Sequence, residues 1–466
     1  MSIEQEVVRL TEATTELLDV VTERKKQLEE AVVNASGSAE DAEASAVLAA
    51  SHATASGNSA TTSAAEAVKA TTQADRAKTE ADRASLISGL DTVDEAIKQS
   101  PFILDYERRA LEAATGGTCT ILYTTKGQPT YMHVIPRFNL QDIDPALGTG
   151  THPAFIVNGV EKSELFIGQH LGCLRDGELL SLPGVEPLHS VTFDEALTYG
   201  AACGQGFHAM THAEQSAIAH WCKKNGFMPR GNTGYGRAHD APFETARRVD
   251  GGAPGVTSGN PRTLTGSGPV SWRHNNNPNG IADLCGNVWE WRGGLRLVDG
   301  EIQVLANNNA ADSKNSQAKT STHWRAISAA TGELVAPGSA GTLKYDASAA
   351  GTTTDHGAPV LSDAVSNRNG EAGSDEHTPG NTGEAFEKIT SKAGLVVPSL
   401  AKALSLFPLD ASHGGDELYV RNYGERLALS GGNWGNGAAA GVFALYLNYA
   451  RSAQDTSIGA RPAFVL

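Results

Sequence analysis

Five cysteines, two histidines four residues apart and an asparagine–glutamate pair are the side chains of this sequence best placed to do chemistry. Cys119, Cys173, Cys203, Cys222 and Cys285 are scattered, odd in number and contain no C-x-x-C. They give neither a disulfide framework nor a zinc knuckle, and they suit folding in a reducing cytoplasm. His208 and His212 have the i, i+4 spacing of a helical metal pair. Thr211 and Glu214, however, form a T-x-x-E capping box that starts the helix at Thr211. His208 then precedes the helix, the two imidazoles share no face, and no metal is expected there. Asn287 and Glu290 offer the oxygen ligands that calcium accepts; the alternative is that they satisfy turn backbone. There is no G-x-x-x-x-G-K-[ST] loop and no G-x-S-x-G elbow.

A second group of residues suits recognition rather than catalysis. Tyr446 and Tyr449 bracket Asn448, with Trp434 upstream. Aromatic and amide side chains of this kind give large contact area at low entropic cost, with adaptable hydrogen bonding. If VFALYLNY is a strand, Phe443, Leu445, Leu447 and Tyr449 fall on one side and Val442, Ala444, Tyr446 and Asn448 on the other. The two tyrosines then cannot both face a ligand, and Tyr446 and Asn448 are the expected outward pair. The alternative is a buried strand in which the tyrosines pack ordinarily.

The elements that would carry these groups divide the chain in two. The first hundred residues are rich in Ala, Ser, Thr and Glu, with a 3-4 apolar spacing through Ile3, Val7, Leu10, Thr14, Leu17, Val21, Leu28 and Ala31, Arg24 being the odd member. After Gly37 the pattern resumes one residue out of register and continues from Ala39 to Ala84. Twelve of those fourteen seam positions are alanine, so each buries little area and such a stem needs length. A sustained seven-residue repeat predicts a coiled coil over residues 1–100, with a stutter near Gly37. Leu86, Leu90, Val93 and Ile97 restore larger residues at the end of it.

From about Thr118 the composition turns to Gly, Asn, Pro and Trp, with strand-like TCTILYTT and YMHVIPRF and one clear helix after Thr211 that ends at Gly226. This predicts an α+β fold, with a connecting region at 101–185, a tip at 186–466 and an atypical insertion at about 305–420. The net charge of −16 over 466 residues excludes a nucleic-acid partner that needs a basic face. MSIEQEVVRL has no basic segment leading an apolar one, and no apolar run reaches membrane-spanning length. Neither a signal peptide nor membrane insertion is therefore expected.

GIADLCGNVWEW (Gly280 to Trp291) resembles the GLYDMxGNVWEW signature of the formylglycine-generating-enzyme and sulfatase-modifying-factor family, whose fold is a variant C-type lectin. VIPRF, the block from Ser190 to Trp221, SGGNW (Ser430 to Trp434) and IGARP (Ile458 to Pro462) follow that family's order over roughly 120–466. Its formylglycine-making enzymes use a cysteine pair soon after the GGSW block. From Ser430 onward this chain has no cysteine, so the nucleophile for thiol chemistry is missing. A second branch comprises the variable proteins of diversity-generating retroelements, which display a hypervariable C-terminal surface to receptors.

The end of this chain resembles that second branch. Related phage tails are asparagine-rich there, reading roughly GGxWNNGANAGxFxLNLNNxRSNSNNNIGFR. This chain instead has Gly435, Ala439, Tyr446, Tyr449, Ala453, Asp455, Thr456 and Ser457, each reachable by adenine replacement in an AAC codon. With Trp434, Asn436 and Asn448, these residues form the receptor-binding set that the resemblance implies. It further implies a non-enzymatic receptor-binding protein of a phage tail fibre, made in the host cytoplasm and carried on the virion. The expected partners are a bacterial surface protein or glycan, other tail or baseplate proteins, and further copies of the chain in a homotrimer. No cofactor is expected beyond the calcium that Asn287 and Glu290 would suit. A sulfatase-modifying enzyme and a purely structural tail protein are the alternatives.

Overall fold

The computed structural model describes residues 3–53, 105–351, 356–376 and 380–466, in two units, Met1–Leu104 and Asp105–Leu466. The alanine seam beyond Ala53 and the larger residues from Leu86 to Ile97 lie outside the described residues.

In the first unit one helix, α1 (Ile3–Ala53), spans 51 residues, about 75 Å at 1.5 Å per residue. It runs through Gly37 without a break, so the expected change of register leaves no interruption in the backbone. Thr11, Thr15, Thr22 and Ser38 return their hydroxyls to the carbonyl four residues back, which keeps these polar residues inside the helix. Val7, Leu17, Val21 and Leu28 of the expected seam are 42–68% exposed in the single chain.

The second unit is mixed α+β. Its short helices are α2 (Tyr106–Thr115), α3 (Phe193–Ala202) and α4 (His212–Lys224). Capping boxes start α3 at Thr192 with Glu195 and α4 at Thr211 with Glu214, each satisfying the free N–H groups of a first turn. A five-stranded sheet runs in the order β1 (Cys119–Tyr123), β2 (Pro129–Pro136), β3 (Glu164–Gly168), then the last strand of the chain (Pro462–Phe464) and β4 (Phe207–Ala209). The TCTILYTT and YMHVIPRF runs are β1 and β2, paired antiparallel with Ile121 opposite Tyr131.

Two small hairpins, Ile156–Val157 with Val160–Glu161 and Gly172–Arg175 with Glu178–Ser181, stand apart, and a twelve-stranded sheet holds the other strands. Its centre is β5 (Trp289–Val298), β6 (Glu301–Val304), β7 (Glu417–Val420), β8 (Glu425–Ser430) and β9 (Leu445–Tyr449). β8 lies between β5 and β9, and β7 pairs parallel with β9. The two-residue β10 (Ile458–Gly459) runs parallel to the start of β5, and Pro462–Phe464 is β11. The 305–420 segment extends this sheet through Arg325–Ile327, Lys344–Ala347, Pro359–Ser362 and Thr382–Ala385.

Both faces of the large sheet are covered. Leu427, Leu429, Trp289 and Trp291 enter one apolar cluster; Ala428, Leu295 and Leu297 enter the other. A register shift between β5 and β8 makes this possible, since Leu427 pairs with Arg296 whereas Ala428 pairs with Arg292. Gly294, at φ +84, sits in that bulge, where a left-handed residue reverses which core the following side chains meet.

Candidate functional site

Four of the five sequence blocks that carry the family resemblance meet in one buried polar centre. Glu290 of GNVWEW, 0% exposed, receives Arg461 of IGARP (Nε to Oε2 2.9 Å, Nη2 to Oε1 3.1 Å) and Arg292 (Nη1 to Oε2 3.1 Å). Arg292 also donates from Nε to Ser430 Oγ of SGGNW at 2.7 Å and from Nη2 to Gln215 Oε1 at 2.9 Å. Arg461 donates onward to the carbonyls of Gly168, Ala282 and Asp283. Burial pushes the Glu290 carboxyl up, but the two guanidiniums outweigh it and hold the group below its ordinary value. Asn287, at φ +67, accepts on Oδ1 from Asn232 Nδ2 and Thr263 N and donates to the Thr263 carbonyl. The oxygens of Asn287 and Glu290 are thus engaged by protein donors, Asn287 by loop N–H groups and Glu290 by two guanidiniums. Among the described residues, no three His, Cys, Asp or Glu side chains converge on a common point.

The other chemically capable groups are buried as well. His208 and His212 separate as the capping box dictates. His208 Nε2 bonds Glu214 Oε1 at 2.8 Å, and His212 Nε2 bonds the Leu404 carbonyl at 2.7 Å. All five cysteines are free and buried. Burial raises the Cys119 and Cys173 thiols to about 11 and Cys203 to about 12, the opposite of what a nucleophilic thiolate needs.

The eleven expected receptor-binding residues divide by burial. Gly435, Asp455 and Thr456 are exposed; Trp434, Asn436, Ala439, Tyr449 and Ala453 are half-buried; Tyr446, Asn448 and Ser457 are buried. The expectation that Tyr446 and Asn448 form the outward pair is therefore corrected. β9 is covered on both faces: Leu445 and Leu447 enter one cluster, while Tyr446 enters the other and Tyr449 packs against it. Tyr446 lies on Trp289, with ring centroids 3.8 Å apart, and meets Tyr419 edge-on at 4.5 Å. Asn448 is 6% exposed. Ser457 is buried because it closes a turn, its N and Oγ both reaching Asp455 Oδ1 at 2.6 Å while its carbonyl receives Trp289 N at 2.7 Å.

The exposed members sit on two loops, 431–441 and 450–457, whose backbones are pinned. In the first, Asn433 N donates to Asn436 Oδ1 and Gly435 N to Asn433 Oδ1. Tyr235 N holds the Trp434 carbonyl at 2.8 Å, and Gly437 N reaches the Thr233 carbonyl at 3.0 Å. Arg262, 4% exposed, joins the loops. Its guanidinium lies 5.9 Å from the Trp434 ring centroid, donates to the Thr456 carbonyl at 2.8 Å and is anchored by Glu186 at 2.6 Å. That hydrogen bond, foremost, holds the Glu186 carboxyl below its usual value.

Arg262, Glu186 and Tyr235 were not expected at this site. Arg262 and Glu186 lie far from the C-terminus in sequence, and no spacing rule links them to it. Tyr235, at φ +60, is a bulky residue in the left-handed region; strain of that kind is visible only in coordinates.

No family model matches the chain, and no curated protein is similar to it in sequence. Among solved structures it is similar to Treponema denticola variable protein 1. The two share 13% identity, with 75% of this chain and 99% of that chain covered and a TM-score of 0.28, a likeness too slight to bear on the fold or the site.

Proposed function

We propose that this chain is a non-catalytic receptor-binding protein of a phage tail fibre. In this reading α1 and the alanine-rich sequence after it form a homotrimeric coiled-coil stem. Asp105–Leu466 is a C-type-lectin-like tip, allied to the diversity-generating-retroelement variable proteins, that grips a protein or glycan on the bacterial surface. The observation that carries the reading is the contrast within the C-terminal blocks: the motif residues form a buried, paired frame, and that frame carries two pinned loops exposed at Gly435, Asp455 and Thr456. A rigid scaffold bearing tolerant surface positions is what display of variable side chains requires. The lack of cysteine after Leu429 and the buried, neutral thiols support a binding rather than a catalytic role.

The test is adsorption of the labelled full chain to a panel of bacterial strains, with Gly435→Ser and Thr456→Lys as variants. Binding to the strains that the parent recognises should fall, while the melting temperature stays within about 2 °C, as for surface changes generally. Variants that adsorb like the parent would overturn the assignment of this surface.

A further inference from the structure

Beneath the 431–441 loop lies a cavity of about 160 Å³, far more than the ~10–15 Å³ that one water occupies by the same measure. Its rim includes the exposed Arg230, Asp240 and Ala438, and its floor the buried Cys285, Asp416 and Gly441. Asp416 is 5% exposed. Its Oδ2 accepts from Phe443 N at 2.7 Å, and among the described residues no donor reaches its Oδ1. A Cβ on Gly441 would collide with both carboxyl oxygens, so only glycine lets the loop pack this closely on Asp416.

The charge around the cavity is one-sided. Arg230, its guanidinium, is already held by Asp240 at 2.8 Å and Glu244 at 3.3 Å. Asp416 has no cation of its own, and burial together with nearby Glu387 pushes its carboxyl well above the ordinary value. Glu387 Oε2 is likewise buried without a partner. Without a counter-charge the buried Asp416 carboxyl favours its neutral form, and a cation that fills the space offsets the cost of ionising it. No three metal-ligating side chains converge among the described residues, which favours an organic cation over a metal ion.

We propose that the Asp416 cavity binds a primary ammonium group, the head group that a lysine side chain and an amino sugar share. The inference rests on the receptor-binding reading and deepens it, since Ala438 and Gly441 of the displayed loop wall the cavity. The ammonium donates one hydrogen bond to Asp416 Oδ1 and supplies the missing positive charge. A charge-assisted contact of this type is about twice as strong as a neutral one.

Calorimetric titration of the full chain with n-butylamine, Nα-acetyl-lysine amide and glucosamine tests this, with n-butanol and N-acetylglucosamine as neutral counterparts. We expect binding of the amines with Kd of about 1 mM and no binding of the neutral compounds. The stronger of the lysine and glucosamine arms identifies the source. Asp416→Asn keeps an acceptor for Phe443 N and should weaken the amines at least about tenfold. A structure of the parent chain with n-butylamine gives a reading that needs no variant, with nitrogen expected within hydrogen-bond distance of Asp416 Oδ1. Absence of amine binding, equal binding by Asp416→Asn, or nitrogen located elsewhere would each overturn the proposal. An Asp416→Asn chain that loses amine binding but adsorbs to strains like the parent would support the amine site and detach it from receptor recognition. Amine binding that persists when the Gly435 and Thr456 variants fail to alter adsorption would sink only the wider reading.

Discussion

Tyr446 lies against Trp289 with ring centroids 3.8 Å apart and 37° between the planes, so the tyrosine nearest the expected receptor face belongs to the core. Tyr446→Ala should therefore destabilise the Asp105–Leu466 unit by about 3–5 kcal/mol, as aromatic truncations in cores do. Trp289→Ala should do the same. Because the rings touch, the double variant should cost less than the sum, with a coupling of about 0.5–3 kcal/mol. Denaturant titration of the four chains measures it; a Tyr446→Ala chain as stable as the parent would contradict the packing.

The salt-bridged centre gives a sharper case. Removing Arg461 deprives Glu290 of two hydrogen bonds and leaves a buried carboxylate with Arg292 alone. Arg461→Met should cost about 3–5 kcal/mol, the range for breaking a buried ion pair from one side. Replacing all three charges, as in Arg461→Met with Glu290→Leu and Arg292→Met, should recover part of that loss in the same denaturation assay.

Histidines set the response to acid. Burial, foremost, lowers His133, His212, His220 and His413 to about 4 and His152 and His170 to about 3. The unfolded chain takes up these protons near pH 6.5 and the folded one does not, so their contribution is complete above pH 6.5 and is lost as pH falls toward 4. Each adds up to about 1.4 kcal/mol per pH unit in that window. His208 has the opposite sign. Burial pushes it down, but Glu214 at 2.8 Å more than offsets this and its value is raised. Its contribution is present below pH 6.5 and is lost as pH rises through the raised value. His208→Gln should flatten stability on the alkaline side alone, whereas His220→Gln should soften the acid fall.

The stem predicts an assembly. Leu17 and Leu28 are 55% and 68% exposed in one chain, and a trimer would cover them. Sedimentation should find an elongated oligomer that Leu17→Asp with Leu28→Asp dissociates. A monomer at micromolar concentration for the parent would remove the stem from the proposal.

Much of this was legible in the sequence, for identifiable reasons. The Thr211–Glu214 box placed α4 and separated His208 from His212, because capping depends on neighbours three residues apart. The same rule applied to Thr192 and Glu195 would have found α3. Alternation described β9 only as far as Leu447: a register shift against β8 turns Tyr449 to the same cluster as Tyr446, and period two is silent on whether a strand has one covered face or two. Arg262 escaped notice because its partners, Glu186, Trp434 and the Thr456 carbonyl, are brought together only by tertiary packing. Glu290 left a calcium ligand and a turn-bound carboxylate both open, because a carboxylate near asparagine looks the same in sequence whether its partner is an ion, backbone or two arginines.

Strand β11 is reached last along the chain yet sits inside the small sheet, with β3 on one side and β4 on the other. Every codon of the 431–457 loops must therefore be read in frame before those two strands can be joined. A change of side chain in the loops leaves that closure intact, whereas a deletion, insertion or stop removes the piece that completes the sheet. A chain without β11 is left with open edges on β3 and β4, which favour aggregation.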